Sequence, residues 1–195
     1  MKNFDPREHE MADLEILTVQ NLEHLKILRT KSRKVQAVSP KMAAFAEQML
    51  DKMREANGVG LAAPQVGVLQ RLFVVELPED EENDQPLETY ILFNPEIVKG
   101  RGEQTGYEGC LSIPGYIGEV ARREQITIQG LNEKGRPVRL KVEGYLARVF
   151  QHEIDHLDGI LFTDRLTDPD TFQPVEPGEE EVAELQAART GAAMS

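Results

Sequence analysis

The chain has 195 residues, 40% of them hydrophobic, and carries a formal net charge of −12. This length suits one compact domain with a substantial core, and the acidic balance argues against general binding to nucleic acid or to an anionic membrane. A single cysteine excludes an internal disulfide framework, and no apolar run approaches the ~18 residues that a membrane-spanning helix needs.

The N-terminal segment, residues 1–13, is polar and acidic, and we predict that it is a disordered leader. It has neither the apolar stretch of a signal peptide nor the arginine-rich pattern of a transit peptide. We therefore expect a cytoplasmic protein, where a free thiolate also stays reduced. A basic cluster between Lys26 and Lys34 is interpreted as solvated surface.

The first predicted helix begins at Pro40, because proline is tolerated in a first turn. Apolar residues recur at helical spacing as far as Met53, and we interpret them as core packing. The pair Asn57-Gly58 predicts the end of this helix.

A small, apolar, glycine-rich segment follows, with the sequence GVGLAAPQ at 58–65. It lacks the Lys-Ser/Thr ending of a phosphate loop and the third glycine of a dinucleotide fingerprint. Two interpretations stay open: a strained turn before a strand, or a backbone that another group must approach closely.

Four strands are predicted after this segment, as two hairpins. The first hairpin crosses an acidic turn at 78–86, and the second crosses a turn at 132–135. The strands are 71–77 and 89–93, then 125–129 and 138–142.

A long helix is predicted after Gly144, with Gly159 as its stop. Apolar residues cover most of its surface, which is typical of a buried helix. His152 and His156 lie one turn apart on it, so both imidazoles can point at one ion. On a sheltered face metal binding satisfies imidazoles that would otherwise be costly to bury. The helix keeps only a narrow polar strip, made of Arg148, Gln151, Asp155 and Asp158.

Two histidines need one more protein ligand, and three ligands leave an open position that suits catalysis. Cys110, the only cysteine, lies in EGCLS at 108–112, where Gly109 and a later Pro-Gly pair indicate an irregular segment between strands. A thiolate there would complete a Cys/His/His site, although a lone cysteine is more often a buried small hydrophobe. Glu153, beside the first histidine, can reach a water on the ion.

Three blocks together resemble the three motifs of peptide deformylase: GVGLAAPQ at 58–65, EGCLS at 108–112 and QHEIDH at 151–156. Their order and spacing also match, and the similarity runs from about Leu14 to Leu166. The resemblance implies removal of the formyl group from N-formylmethionine on nascent polypeptides. It also implies one Fe²⁺ per chain, which Zn²⁺, Ni²⁺ or Co²⁺ can replace.

The resemblance assigns roles that make chemical sense. A metal held by Cys110, His152 and His156 would lower the pKa of its water towards ~7 and polarise the formyl oxygen. Glu153 would take the proton of the water and deliver it to the leaving amine. The side-chain amide of Gln65 and the backbone N–H of Leu111 would stabilise the developing oxyanion.

Substrate binding is expected beside the metal. Backbone groups around Val59 and Gly60 can pair with an extended peptide as an added strand, and Gly109 is assigned to the same peptide-binding surface. Val59, Tyr145 and Val149 are the candidate walls of an apolar pocket for the first side chain.

We expect one α+β domain, residues 14–168, in which antiparallel or mixed strands wrap a buried central helix that carries the two histidines. Residues 169–195 are predicted to be an acidic, partly helical tail, with a short helix at 182–189. The expected partners are N-formylmethionyl nascent peptides and, transiently, the ribosome, without specific nucleic-acid or membrane binding.

Two other functions remain open. One is a general metallopeptidase that uses the same metal and glutamate, and the other is a noncatalytic, metal-stabilised binding protein. Glu153 argues against the second, because a structural metal site needs no general base.

Overall fold

The computed structural model describes residues 14–77 and 87–175. The predicted leader, the acidic turn at 78–86 and the predicted helix at 182–189 lie outside these residues. The helices of the described chain are α1 (Leu22–Leu28), α2 (Pro40–Glu55) and α3 (Gly144–Leu157). Its strands are β1 (Gly60–Ala62), β2 (Leu72–Leu77), β3 (Glu88–Arg101), β4 (Gln104–Glu108), β5 (Tyr116–Arg122), β6 (Gln125–Leu131), β7 (Pro137–Glu143) and β8 (Gln173–Pro174).

Two antiparallel sheets enclose α3. The larger sheet has the order β1-β2-β3-β6-β7, and the smaller has the order β4-β5-β8. The apolar face of α3 packs on the larger sheet through Phe150, whose ring centroid lies 5.2 Å from those of Phe73 and Tyr90. The α+β class and the buried central helix are therefore confirmed.

The predicted α2 is also confirmed, together with its boundaries. The hydroxyl of Ser39 accepts a hydrogen bond from the backbone N–H of Met42 at 3.3 Å, and Pro40 occupies the first turn. The helix ends at Glu55, and Asn57 follows with a left-handed φ of 54°. The apolar side chains of α2 are buried in a cluster shared with β1 and β2, as core residues.

The strand predicted at 89–93 is longer than expected. It continues to Arg101 through Asn94 and Pro95, with irregular pairing to β6 between Phe93 and Glu96. Asn94 has a left-handed φ of 52°, and its side-chain amide pairs with both backbone groups of Val35 at 2.8 Å. Proline normally ends a strand because it lacks an N–H, but a bulge accommodates it here.

Residues 169–175 contact the smaller sheet. A short turn at Pro169–Thr171 leads into β8, which pairs with Tyr116 and Ile117 of β5. The ring of Phe172 stacks on that of Tyr116 at 4.9 Å. Among the helices of the described ranges, none combines the length and apolarity needed to cross a membrane.

Candidate metal centre

Three ligand atoms meet where α3 passes the loop between β4 and β5. His152 and His156 place their Nε2 atoms 3.2 Å apart, and the Sγ atom of Cys110 lies 3.2 Å from Nε2 of His156. All three ligand atoms lie within 4.8 Å of one another. The structure therefore brings together the three residues that the sequence analysis proposed as ligands.

The donor set fits a divalent cation. An ion ~2.0–2.3 Å from each atom fits between thiolate and imidazole atoms at these separations, and three protein ligands leave a position open. Burial, followed by the neighbouring charge of His152, holds the pKa of His156 well below its ordinary value. This favours the neutral form of imidazole, which is the form that binds metals. Burial lowers the pKa of His152 too, but its contacts with Cys110 and Glu108 outweigh burial and raise that pKa well above its ordinary value, so metal binding would have to release a proton from His152.

Glu108 contacts the ring nitrogen of His152 that faces away from the other ligands. Its Oε2 atom lies 3.0 Å from Nδ1 of His152, and its carboxylate accepts two hydrogen bonds of 2.8 Å from the guanidinium of Arg122. Burial raises the pKa of Glu108, but the hydrogen bonds from Arg122 and His152 outweigh it and lower the pKa to about 2. An anionic Glu108 accepts the Nδ1–H of His152 and leaves Nε2 facing the other ligands. The sequence analysis assigned no role to this residue.

Glu153 lies against the edge strand β1. The residue is 3% exposed, and a Cβ atom added at Gly60 would collide with its carboxylate. Gly60 is not among the residues with a left-handed φ. Of the two interpretations of the glycine-rich segment, the close approach of another group therefore explains Gly60, and the approaching group is Glu153.

Gln65 presents its amide nitrogen to the cysteine loop. Its Oε1 atom accepts a hydrogen bond of 2.8 Å from the backbone N–H of Ala62, which fixes the orientation of the amide. Nε2 then donates to the hydroxyl of Ser112 at 3.2 Å and lies 3.6 Å from Sγ of Cys110. Leu111, next to the cysteine, is partly buried against the α2 cluster.

The three candidate pocket walls share one apolar cluster. Val149 is buried in the cluster between α3 and the larger sheet, and Val59 and Tyr145 are partly buried against it. Gly109 is buried beside the cysteine. The three residues thus belong to one cluster, and a pocket that they enclose for a substrate side chain stays a prediction.

Three residues of the polar strip of α3, Arg148, Gln151 and Asp155, are buried as well, on the side of the smaller sheet. Arg148 donates to the carbonyl groups of Gly106 and Val120 at 3.0 and 3.3 Å. Gln151 accepts from the backbone N–H of Arg123 at 2.9 Å and donates to its carbonyl at 2.8 Å. Both faces of α3 are therefore fixed, so the two histidines have a rigid base.

Comparison with known proteins gives a consistent result. Residues 14–172 match the family model described as polypeptide deformylase. A peptide deformylase of Thermomicrobium roseum is 50% identical over 159 residues, which cover 80% of this chain and 90% of the relative. One of Symbiobacterium thermophilum is 48% identical over 172 residues, covering 88% and 74%.

Solved structures agree with the sequence relatives. The peptide deformylase of Thermus thermophilus superimposes with a TM-score of 0.69 at 43% identity, covering 91% of this chain and 94% of that one. A class I type b peptide deformylase of Acinetobacter baumannii, with Met-Ala-Ser bound, gives a TM-score of 0.71 at 35% identity, covering 80% and 99%. With its three motifs gathered around one Cys/His/His cluster, this chain belongs to the peptide deformylase family.

Proposed function

We propose that this protein removes the N-formyl group from N-formylmethionine at the start of nascent polypeptides. The observation that carries the proposal is the convergence, within 4.8 Å, of ligand atoms from Cys110 in the loop after β4 and from His152 and His156 on α3, the helix that also carries the buried Glu153. Such a site can hydrolyse an amide, and a formyl group is an accessible one because its carbonyl carbon carries only a hydrogen atom.

The proposed ligands are Cys110, His152 and His156, and the proposed native ion is Fe²⁺, with Zn²⁺, Ni²⁺ and Co²⁺ as substitutes. When bound, the ion supplies Lewis acidity, which polarises a carbonyl and lowers the pKa of water. A ligand set of one thiolate and two imidazoles suits this group of ions better than Mg²⁺ or Ca²⁺, which prefer oxygen.

Glu153 is the proposed general base and acid. Its carboxylate would accept a proton from the attacking water and then donate it to the nitrogen of the leaving amine. The position of this carboxylate between α3 and β1 supports the role, because β1 is where the peptide is expected to bind.

Gln65 and Leu111 are the proposed donors to the oxyanion. The amide nitrogen of Gln65 already faces the Sγ atom of Cys110, so its N–H groups lie next to the ligands. A preorganised donor of this kind is worth ~3–4 kcal/mol in the transition state.

The peptide would bind along β1. This strand is an edge of the larger sheet and pairs only with β2 within the described chain, so an extended peptide can add to its other side. The Met-Ala-Ser bound to the Acinetobacter relative supports a short peptide as ligand. Val59, Tyr145 and Val149 would enclose the methionine side chain, with Gly60 and Gly109 offering backbone contacts. The proposed setting is the cytoplasm, with transient contact to the ribosome.

A paired assay tests the function. Protein prepared without oxygen is given formyl-Met-Ala and, separately, unformylated Met-Ala-Ser, and the release of formate and of free amino acids is measured. We expect formate from the first and no peptide-bond cleavage in the second. Cleavage of the unformylated peptide would instead indicate a general metallopeptidase, and inactivity toward both peptides in metallated protein would indicate a noncatalytic role.

A further inference from the structure

The contacts of His152 continue beyond Glu108 as a buried chain of charges. Arg122, which binds the carboxylate of Glu108 with two hydrogen bonds, also donates from Nη1 to Oδ2 of Asp155. Asp155 in turn accepts hydrogen bonds of 3.1 and 2.9 Å from Nε and Nη2 of Arg165. The path therefore runs from a proposed metal ligand to the surface.

The members of this path differ in exposure. The side chains of Glu108 and Arg122 are 3% and 5% exposed, that of Asp155 is 11% exposed, and that of Arg165 is 46% exposed. Arg122 is thus a buried cation shared between two buried carboxylates. Buried ions need full pairing, because an uncompensated one is costly. Arg165 supplies Asp155 with a second cation, and Glu108 has a second one in Arg148, whose Nη1 atom lies 3.6 Å from Oε1 of Glu108.

We infer that Asp155 and Arg165 are positioning residues for the metal centre, which act through Arg122 and Glu108 on the imidazole of His152. When Arg165 pairs with Asp155, the guanidinium of Arg122 can keep both of its hydrogen bonds to Glu108. Glu108 is then held in place to accept the Nδ1–H of His152. This inference rests on the proposed role of His152 as a ligand, and it adds residues beyond the three ligands themselves.

The place of each residue supports a positioning role. Asp155 lies on α3 immediately before His156, on the polar side of the helix, so it joins the ligand-bearing helix to the end of β5. Arg165 comes from the segment after α3 and faces a surface cavity of about 310 Å³, which Arg122 and Asp155 also line. Removal of the Arg165 side chain would therefore open the path to solvent without removing core packing.

The test uses Arg165→Ala, Arg165→Lys and Asp155→Asn in the full chain, with Arg54→Ala as the matched control. Arg54 donates two hydrogen bonds to the carboxylate of Glu76, and the exposed fractions of these side chains, 48% and 12%, are close to those of Arg165 and Asp155, but this pair joins α2 to β2 and is not part of the path to Glu108. Zn²⁺ affinity is measured by competition with a chelator, and the Nδ1–H resonance of His152 is recorded by NMR with and without Zn²⁺.

We expect Asp155→Asn to weaken Zn²⁺ binding ~10-fold or more, in the range found when partners of metal-binding histidines are removed. Arg165→Ala should weaken it less, shift the His152 resonance and speed its exchange with solvent. Arg165→Lys, or methylguanidinium added to Arg165→Ala, should restore both readouts. Arg54→Ala removes an ion pair of similar exposure and should leave both readouts unchanged.

The inference is overturned if Arg165→Ala changes neither readout, or changes both no more than Arg54→Ala does. Because Arg165 is half exposed, Arg165→Ala remains folded even if Asp155→Asn does not. Failure of the wild-type chain to bind Zn²⁺ would count against the proposed function instead, and the resonance recorded without Zn²⁺ would still decide whether Arg165 positions His152.

Discussion

Glu153 of α3 lies close against Gly60 of β1. The carboxylate occupies the space that a side chain at residue 60 would need. The two residues are far apart in sequence, yet residue 60 must be glycine because the Glu153 carboxylate lies against it. The chemical role of Glu153 can therefore be tested by changing its carboxylate, and its position can be tested by changing Gly60.

Replacement of Glu153 by glutamine should retain the metal and remove most turnover. A glutamine has nearly the same shape but cannot accept and return a proton, and such roles contribute ~10²–10⁴-fold to rate. The measurement is kcat on formyl-Met-Ala, with metal content determined on the same sample. Near-normal kcat in fully metallated Glu153→Gln protein would contradict the assignment.

Replacement of Gly60 by alanine should lower kcat by about 10-fold or more, because the new methyl group displaces the carboxylate by roughly an ångström. Gly100→Ala is the control, since it adds a methyl group to a strand glycine whose nearest neighbour is the flexible side chain of Arg123. Equal activity of Gly60→Ala and Gly100→Ala would show that Glu153 tolerates displacement.

The ligands could be found from sequence because their chemistry is local. Two histidines at helical spacing and a single cysteine leave few alternatives, and the structure brings all three together. Glu108 and the reason for Gly60 could not be found in this way. The role of Glu108 and the need for glycine at 60 depend on how β4 and β1 lie against α3. The pattern of apolar residues in these two strands does not specify that arrangement.

At the scale of elements, α3 is held on every side. Its C-terminal end is fixed by Arg71, which donates to the carbonyl of Leu157 at 3.4 Å and to the carboxylate of Asp158 at 2.8 Å. Lys31 also pairs with Asp158, at 3.1 Å. Two cations at this end of the helix also interact favourably with its dipole.

These contacts predict a pH-dependent contribution to stability. Burial raises the pKa of Asp158, but the hydrogen bonds from Arg71 and Lys31 outweigh it and hold the pKa below its ordinary value of 3.8. A carboxyl group with a lowered pKa in the folded state stabilises the fold above its unfolded-state pKa, and the contribution is lost as the pH falls through the folded-state pKa.

Asp158→Asn should therefore lower the free energy of unfolding by about 1–2 kcal/mol at neutral pH. It should also flatten the loss of stability as the pH falls from about 5 to below about 3. Urea unfolding across this range is the measurement. Asp51→Asn is the control, because that carboxylate is 72% exposed and its ion pair with Arg54 adds little. Parallel pH curves for wild type and Asp158→Asn would contradict the prediction.

Some elements could be predicted and others could not. Pro40, Asn57 and Gly159 mark the ends of α2 and α3 by backbone chemistry that acts within a few residues. The continuation of β3 through Pro95 depends on the amide of Asn94 pairing with Val35, a contact 59 residues away in sequence. The sequence does not predict α1, β1 or β8, and it implies strands around Cys110 without the bounds of β4 and β5, because the partners of these short elements decide their structure.

At the scale of the whole molecule, the metal centre adds a further link between two layers of the fold. Cys110 follows β4 in the smaller sheet, whereas His152 and His156 lie on the helix that packs on the larger sheet. An ion bound to all three connects these layers only in the folded state.

Removal of the metal should therefore lower the melting temperature. At a free metal concentration 100 times Kd the ion stabilises the fold by ~2.7 kcal/mol, which corresponds to roughly 5–10 °C for a chain of this size. Calorimetry before and after treatment with a chelator measures the difference. Cys110→Ser should abolish most of it. A chelator effect that persists unchanged in Cys110→Ser would show that the stabilising ion binds elsewhere.

The solitary cysteine also makes the protein its own indicator of metal loading. Cys110 is the only thiol in 195 residues, and it is partly accessible beside His156. A thiolate engaged by a metal reacts slowly with alkylating or disulfide reagents, whereas an uncoordinated one reacts at its usual rate. When the labelling of Cys110 is followed over time, the fraction of protein that reacts quickly is then the fraction of molecules that lack the ion. This measurement needs no activity assay and no metal-sensitive dye. Any preparation can be scored in this way before its kinetics are interpreted.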